Sequence, residues 1–541
     1  MQLSRRDLIR SSLVVGGAAA LGGLGSLSAD AVAGTGAAAR LAPRTAGGTT
    51  TRRTVLGKGP AGDGGWRAVV ERPGEPWVVR GGLGAVPSKS RRSRRRGLLA
   101  FAQLSDIHVV DAQSPMRLEY GESLSSSAYR PQEVFSGHVA DAMVRALNDI
   151  GTGPVTGRKL AFAIQTGDNS DSRQYNEIRW NIDVLDGEMV TVDSGDLTKY
   201  EGVMDQNAAS YMTGYWHPDG TPEGKVDDDP RSKYGFPEIP GVLDAARLPF
   251  QAEGLAMDWY TAMGNHDGLI QGNFPANDIF RSRAIGDVKP ISGVDSRTVT
   301  ADPDRRIIDR DEWVQEHFNT TGTPVGHGFT QKNLDDDTAY YTFDRGIVRF
   351  IVLDTVLPAG EQGTIDAARL TWLKKQLAAS RKRLVVLASH HPLESFKDPK
   401  LATQVTNLLL GYDNVIAWVN GHTHDNNIWP HVRKDKRTKK VVGGFWEINT
   451  ASHIDWPQQS RIIEIADNRD GTLSIFTTMV DHGGTLEWDG DLTNDEQLPL
   501  RLAGLSRLLG ANDWQERDDN RRGRRVDRNV ELVMKAPAFL R

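Results

Sequence analysis

Five short motifs hold most of the side chains in this sequence that can do chemistry. They are Asp106-Ile107-His108, Gly167-Asp168-Asn169, Gly264-Asn265-His266-Asp267, His390-His391-Pro392 and Gly421-His422-Thr423-His424. Carboxylate, imidazole and amide groups are metal ligands, and the chain has no cysteine, so any metal must sit on nitrogen and oxygen. Two divalent ions ~3.5–4 Å apart repel each other, and something anionic must lie between them. Asp168 is the candidate bridge. Neutral imidazoles and an amide would complete the shells without excess negative charge, leaving room for water and a phosphoryl oxygen. In Asp106/His108 and His422/His424, residues two apart share a face on extended chain, whereas a loop can splay them onto adjacent ions.

Taken singly, these residues have plainer readings. An Asp or Asn in a strand-to-helix loop is most often a cap or turn residue, and a lone His an ordinary surface or core group. Asp-x-His and Gly-Asp are weak signals, while Gly-Asn-His-Asp and Gly-His-Thr-His are stronger. All five in order argue for one shared site. His138, His217, His317, His327, His431, His453 and His482 lie outside the motifs and read as structural, although His453 and Asp455 fall in a loop that could border a pocket.

The elements that must position these motifs are short apolar runs at 98–104, 160–165, 257–263, 348–353, 384–388 and 415–419, which read as buried strands. Helix-spaced apolar residues lie between them at 137–150, 173–185 and 364–379, the last with Thr364 as a candidate N-cap. Closely spaced strands follow at 444–449, 461–465 and 472–479, then a helix at 496–509 and a charged stretch at 516–528. Strand–helix alternation implies an α/β fold with buried sheets. Each motif comes just after a predicted strand, and ligands of such sheets bind beyond the carboxyl ends of the strands. Residues 187–254 and 268–335 break the rhythm and read as long inserts. The first separates two motifs, so its ends should lie near the site, and it carries Tyr211, Tyr215 and Trp216, which could stack on a base or grip a lipid or sugar.

The motif set resembles the calcineurin-like metallophosphoesterase superfamily, whose pattern is D-x-H, GD, GNH-D/E, H and GH-x-H. Residues 101–117 (FAQLSDIHVVDAQSPMR) are part of what further resembles a twin-arginine-exported actinobacterial branch with long inserts. The resemblance implies a four-layer α/β/β/α sandwich of two mixed sheets over residues 98–485. It implies two metal ions, Fe, Mn or Zn, and hydrolysis of phosphate mono- or diesters by a metal-bound hydroxide. One ion would be held by Asp106, His108, Asp168 and His424, the second by Asp168, Asn265, His390 and His422. The family pattern favours His390 over His391. His266 would meet the phosphate or protonate the leaving group, with Asp267 orienting it. The spacing departs from the family: Asp168 and Asn265 are 97 positions apart (265 − 168).

Composition limits the alternatives. With 65 Lys and Arg against 70 Asp and Glu, the net charge is -5, so no stable nucleic-acid partner is expected. Residues 34–97 read as a Gly- and Arg-rich extension, and its run Arg91-Arg92-Ser93-Arg94-Arg95-Arg96 as a solvated linker; residues 486–541 read as a C-terminal extension. Ser4-Arg5-Arg6-Asp7-Leu8-Ile9-Arg10, a weakly apolar stretch at 13–27 and Ala31-Val32-Ala33 resemble a twin-arginine export signal over residues 1–33. The apolar stretch is shorter than the ~20 residues of a spanning helix, so the mature chain is expected to have no transmembrane segment. By this reading the export machinery is a partner, and the protein works in the cell envelope or outside the cell. Two other functions fit less well: a secreted metal-containing binding protein without turnover, and a nuclease or phospholipid hydrolase of the same fold.

Overall fold

Alternating side chains along Val348–Val352 and Leu384–Ala388 set the architecture. Val348, Phe350, Val352, Leu384, Val386 and Ala388 join one apolar cluster, and Ile351, Val385 and Leu387 join another. A strand that is apolar on both faces belongs to a sheet covered on both sides. The computed structural model describes residues 50–516 and 521–540; the expected export signal, residues 1–33, lies outside the described residues.

In chain order, the elements that build the site are β1 (Val78–Arg80), β2 (Arg96–Leu104), α1 (Ser136–Ile150), β3 (Phe162–Gln165), α2 (Tyr175–Asp186) and β4 (Asp258–Thr261). Then come β5 (Tyr341–Arg345), β6 (Val348–Val352), α3 (Ala367–Ala379), β7 (Leu384–Ala388), α4 (Pro399–Leu410) and β8 (Val415–Asn420). The last are β9 (Asn427–Lys434), β10 (Val441–Asn449), β11 (Gln459–Asp467), β12 (Thr472–Asp481), α5 (Leu498–Asn512) and β13 (Val530–Lys535). One sheet has seven strands in the order β1-β13-β12-β11-β2-β3-β4, the other six in the order β5-β6-β7-β8-β10-β9. Both are mixed: β2, β3 and β4 run parallel while β11 pairs antiparallel with β2, and β6, β7, β8 and β10 run parallel between antiparallel edges.

The sheets face each other across an aromatic core, where the ring of Phe350 lies 5.3 Å from that of Phe101 and 5.0 Å from that of Phe162. Leu370, Leu373 and Leu377 of α3 and Val405 and Leu409 of α4 cover the outer face of the six-stranded sheet. Met143 and Leu147 of α1 and Ile178 and Ile182 of α2 pack with the seven-stranded one. The result is the expected four-layer α/β/β/α sandwich. Among the described residues, no helix is long and apolar enough to cross a membrane.

Three details differ from the sequence reading. The cap of α3 is Asp366, whose side chain accepts from the Arg369 N–H at 2.7 Å, and not Thr364. The segment read as a Gly- and Arg-rich extension is partly built in: strands Thr54–Ala61 and Arg67–Pro73 pair, with Leu56 and Val69 packed on Trp456. Arg91 of the basic run is buried and reaches Glu531 at 2.9 and 3.1 Å, and Arg95 reaches the same carboxylate at 2.7 Å. The two expected extensions also meet, since β1 pairs parallel with β13 at the far edge of the seven-stranded sheet.

Candidate metal centre

Every motif leaves the carboxyl end of a strand. Asp106 and His108 follow β2, Asp168 follows β3, Asn265 and His266 follow β4, His390 follows β7, and His422 and His424 follow β8. The loops reverse sharply. Asp106, His108, Asp168, His422 and His424 all have positive φ, from 48° to 73°. Left-handed backbone costs a non-glycine residue roughly 1 kcal/mol or more, and clusters of it mark functional sites. The approach of the loops is close: a Cβ on Gly421 would lie 1.9 Å from Ser105 Oγ and 2.2 Å from Asp106 Oδ2.

The structure brings all seven expected ligands together. Ring nitrogens meet face to face, with His108 Nε2 and His424 Nε2 3.2 Å apart, and His390 Nε2 and His422 Nδ1 also 3.2 Å apart. Asn265 Oδ1 lies 2.8 Å from His390 Nε2 and 3.1 Å from His422 Nδ1, and its amide is fixed in that sense because Nδ2 donates to the Gly272 carbonyl at 3.1 Å. Asp106 Oδ1 lies 3.4 Å from His424 Nε2. Asp168 stands between the halves: Oδ1 accepts the His266 N–H at 2.8 Å, while Oδ2 lies 3.1 Å from His390 Nε2 and 3.7 Å from His108 Nε2. Asp106, His108 and His424 form one metal-capable cluster, and Asp106, Asp168 and His390 another.

The outer ring nitrogens explain why the inner ones are available. His390 Nδ1 donates to the Thr166 carbonyl at 2.9 Å. His108 Nδ1 faces Asp171 Oδ1 at 3.2 Å, and His424 Nδ1 faces Asp455 Oδ2 at 2.5 Å. A partner on one nitrogen fixes the tautomer and turns the other's lone pair inward, as metal-binding imidazoles require. Burial would lower the pKa of His390, but Asp168 and Asp106 pull it up to about 9; His424 rises to about 9 against burial through Asp455 and Asp106. The donor set fits two metal ions.

His391 is near enough to His390 and His422 to share an ion with them. Both its nitrogens are committed, however, with Nδ1 2.9 Å from Thr355 Oγ1 and Nε2 2.9 Å from the Glu361 carbonyl, so His390 is the better donor.

His266 sits beside the cluster, its ring 4.5 Å from that of His108 and its Nδ1 2.7 Å from the Asp171 carbonyl oxygen. Asp267 does not orient it, which corrects the sequence reading. The Asp267 carboxylate instead accepts from the N–H groups of Gly264 (2.9 Å), Asn169 (3.1 Å) and Ser170 (3.0 Å), tying two loops together. In the short helical turn Asn265–Gly268, neighbouring side chains diverge by ~100°, so Asp267 and His266 point apart. The group beside His266 is Asp171, three residues after Asp168. Asp171 and the partners Arg117 and Arg130 are the site residues that the sequence reading left unassigned, Asp455 having been read only as part of a loop that could border a pocket, and Asp171 in Asp168-Asn169-Ser170-Asp171 was the one with a local signal. Burial would raise both carboxyl groups, but Arg117 holds Asp171, and Arg130 with Arg521 holds Asp455, well below the usual carboxylate range.

The insert 187–254 closes on itself, with Met189–Val190 pairing Phe250–Gln251 at its root. Tyr215 and Trp216 are buried with Tyr129 and Phe236 in an apolar cluster that also takes in Val110, Ile454 and Leu498 from outside the insert, and Tyr211 donates to the Val226 carbonyl, so the first two offer no face to a substrate. His453 is buried too; its backbone N–H donates to the Asp106 carbonyl at 3.0 Å, bracing the first motif.

Fold and site together define a metal-dependent phosphoesterase with two metal ions. Residues 240–426 match the family model for calcineurin-like phosphoesterases, a span that includes Asn265, His390, His422 and His424 and begins after Asp168. Among solved structures the chain is similar to a dimetal phosphatase from Danio rerio, at 13% identity and a TM-score of 0.33, covering 72% of this chain and 100% of that one. It is also similar to a purple acid phosphatase isolated from yellow lupin (Lupinus luteus) seeds, at 10% identity and a TM-score of 0.30, covering 76% of this chain and 53% of that one. No match was found among curated protein sequences.

Proposed function

We propose that one ion is held by Asp106, His108, Asp168 and His424 and the second by Asp168, Asn265, His390 and His422. On this reading the protein hydrolyses phosphate mono- or diesters outside the cytoplasm. The observation that carries the assignment is the position of Asp168 Oδ2, 3.1 Å from His390 Nε2 in one half and 3.7 Å from His108 Nε2 in the other. Bound ions would supply a nucleophile at neutral pH by lowering the pKa of water, and would neutralise charge on the phosphoryl oxygens. The chain's own contribution is to fix the donors, place His266 beside them and limit bulk water at a site whose donors are buried apart from the half-buried His422. A nuclease reading is disfavoured because Arg91 and Arg95 of the basic run are committed to Glu531.

The test is metal analysis of the purified full-length chain together with a panel of aryl phosphates, phosphodiesters, nucleotides and phospholipids. About two equivalents of metal, activity abolished by chelator and activity restored by Mn²⁺ are expected. Protein that holds two equivalents and hydrolyses nothing in the panel would instead support a binding protein without turnover. Export is tested separately: replacing Arg5 and Arg6 by Lys should retain the precursor in the cytoplasm, and unchanged export would remove the twin-arginine assignment.

A further inference from the structure

Two buried Arg–Asp–His chains run toward one half of the centre. In the first, Arg117 Nη1 donates to Asp171 Oδ2 at 2.8 Å, and Asp171 Oδ1 faces His108 Nδ1 at 3.2 Å. In the second, Arg130 donates to both oxygens of Asp455, from Nε at 2.5 Å and from Nη2 at 3.3 Å, and Asp455 Oδ2 faces His424 Nδ1 at 2.5 Å. The chains are joined at Glu133. Its carboxylate accepts from Arg117 Nε at 3.1 Å and Nη2 at 2.5 Å, and from the Arg130 backbone N–H at 2.9 Å. Both guanidinium groups also reach the Ser127 carbonyl, at 3.2 Å each. Arg117, Arg130, Glu133, Asp171 and Asp455 are all at most 2% exposed.

Five charged groups at this depth are costly unless each is paired, and losing one partner leaves an uncompensated charge. What the arrangement provides is orientation. A carboxylate on the outer nitrogen of a ligating His sets its ring plane and basicity; here Asp455 is held by two prongs of Arg130, and Asp171 by Nη1 of Arg117, whose other two nitrogens grip Glu133. The other half of the centre is built differently: His390 rests on a neutral backbone carbonyl, and the Asn265 amide on another.

We propose that Glu133 is a positioning residue for the metal centre. By holding Arg117 and Arg130 in one frame, it sets the rings of His108 and His424 as a pair. The ion these two share is then gained or lost independently of its neighbour. The inference rests on the two-ion reading of the site given above. It makes Glu133, which touches no expected ligand, a determinant of occupancy at one position only.

The experiment loads the full-length chain with Mn²⁺, titrates it with chelator, and records manganese content and the EPR spectrum on the same samples. Wild type should hold two equivalents and show an exchange-coupled pair. A wild-type chain that binds no manganese would overturn the metal reading itself, before any variant is made. Glu133→Gln should release one equivalent at a chelator strength about 10–100-fold lower and convert the coupled spectrum to that of an isolated ion, while the second equivalent stays bound as in wild type. Asp455→Asn should do the same and carries the test if Glu133→Gln does not fold. Arg130→Lys, which keeps the charge and loses the fork, should fall between wild type and these variants. Unchanged occupancy, or equal loss of both equivalents, would overturn the role of Glu133.

Discussion

The Nδ1 atom of His266 lies 2.7 Å from the backbone carbonyl oxygen of Asp171, with the Asp171 carboxylate 3.4 Å away. A carbonyl oxygen only accepts, so Nδ1 carries a proton and Nε2 is the nitrogen left for a substrate. Burial would lower the pKa of this ring, but Asp168 and Asp171 raise it above the ordinary value, which suits a proton donor.

His266→Ala is expected to lower kcat by ~10²–10⁴ while both ions stay bound, because no expected ligand is touched. The loss should shrink for nitrophenyl esters, whose leaving group hardly needs a proton, and be largest for alkyl esters. His422→Ala should lose metal along with activity on every substrate. Metal content and leaving-group dependence measured on one His266→Ala preparation decide the matter: metal loss without leaving-group dependence would end the acid assignment.

Asp267→Asn is expected to act on stability. The amide replaces an acceptor with a donor against the N–H groups that the carboxylate now receives, at ~1–3 kcal/mol for each buried group left unpaired. The thermal midpoint should fall while kcat per bound metal pair stays near that of wild type. A leaving-group-dependent loss of kcat at normal stability would return Asp267 to a role beside His266.

Gly272 packs against the working face of the site, where an added Cβ would lie 2.3 Å from Asn265 Nδ2 and 2.5 Å from His266 Nε2, on a backbone with φ of 66°. Gly272→Ala should therefore displace both side chains, lowering kcat at least tenfold, with a stability cost of ~1–3 kcal/mol. Crystallographic or kinetic equivalence with wild type would show that the turn relaxes away from the site.

Acid stability should depend on His138, which lies outside the motifs. Burial pushes its pKa down to about 3; its ring lies 4.7 Å from that of Phe250 and its Nδ1 has no hydrogen-bond partner among the described residues. Unfolded, the group titrates near 6.5. As pH falls below about 6.5 the unfolded chain takes a proton that the folded chain refuses, so stability is lost progressively down to about pH 3. At pH 5 this amounts to about 2 kcal/mol. Urea unfolding of the metal-free chain at pH 7.5 and 5 should show a smaller difference for His138→Leu than for wild type; identical differences would rule His138 out.

Much of the core was legible because its strands are continuous apolar runs: 384–388 coincides with β7, and 98–104 falls within β2. The ligands were legible because five loops place unusual residue pairs directly after such runs. The edge strands were not. β9 contains Pro430 and several basic residues, a composition that an edge tolerates and a periodicity argument rejects. β1 and β13 lie far apart in sequence and show their purpose only when paired. The carboxylates behind the imidazoles were hidden for a related reason. Asp455 meets His424 across two loops, with no spacing rule to announce it, and the adjacency of Asp267 to His266 pointed to the wrong acid.

The strand that delivers Asp106 and His108 has consequences for how the protein is made. β2 is flanked on one side by β3 and on the other by β11, where Ala102 pairs with Ile462, 360 positions later (462 − 102). Pairings of such long sequence separation close slowly, because the loop entropy must be overcome before the contacts reward it. Until residues 459–467 emerge, one side of this strand is an open edge, able to pair with a wrong neighbour. If the chain is exported already folded, the departure step must wait for this late strand. Folding speed, more than catalytic rate, would then set the yield of working enzyme.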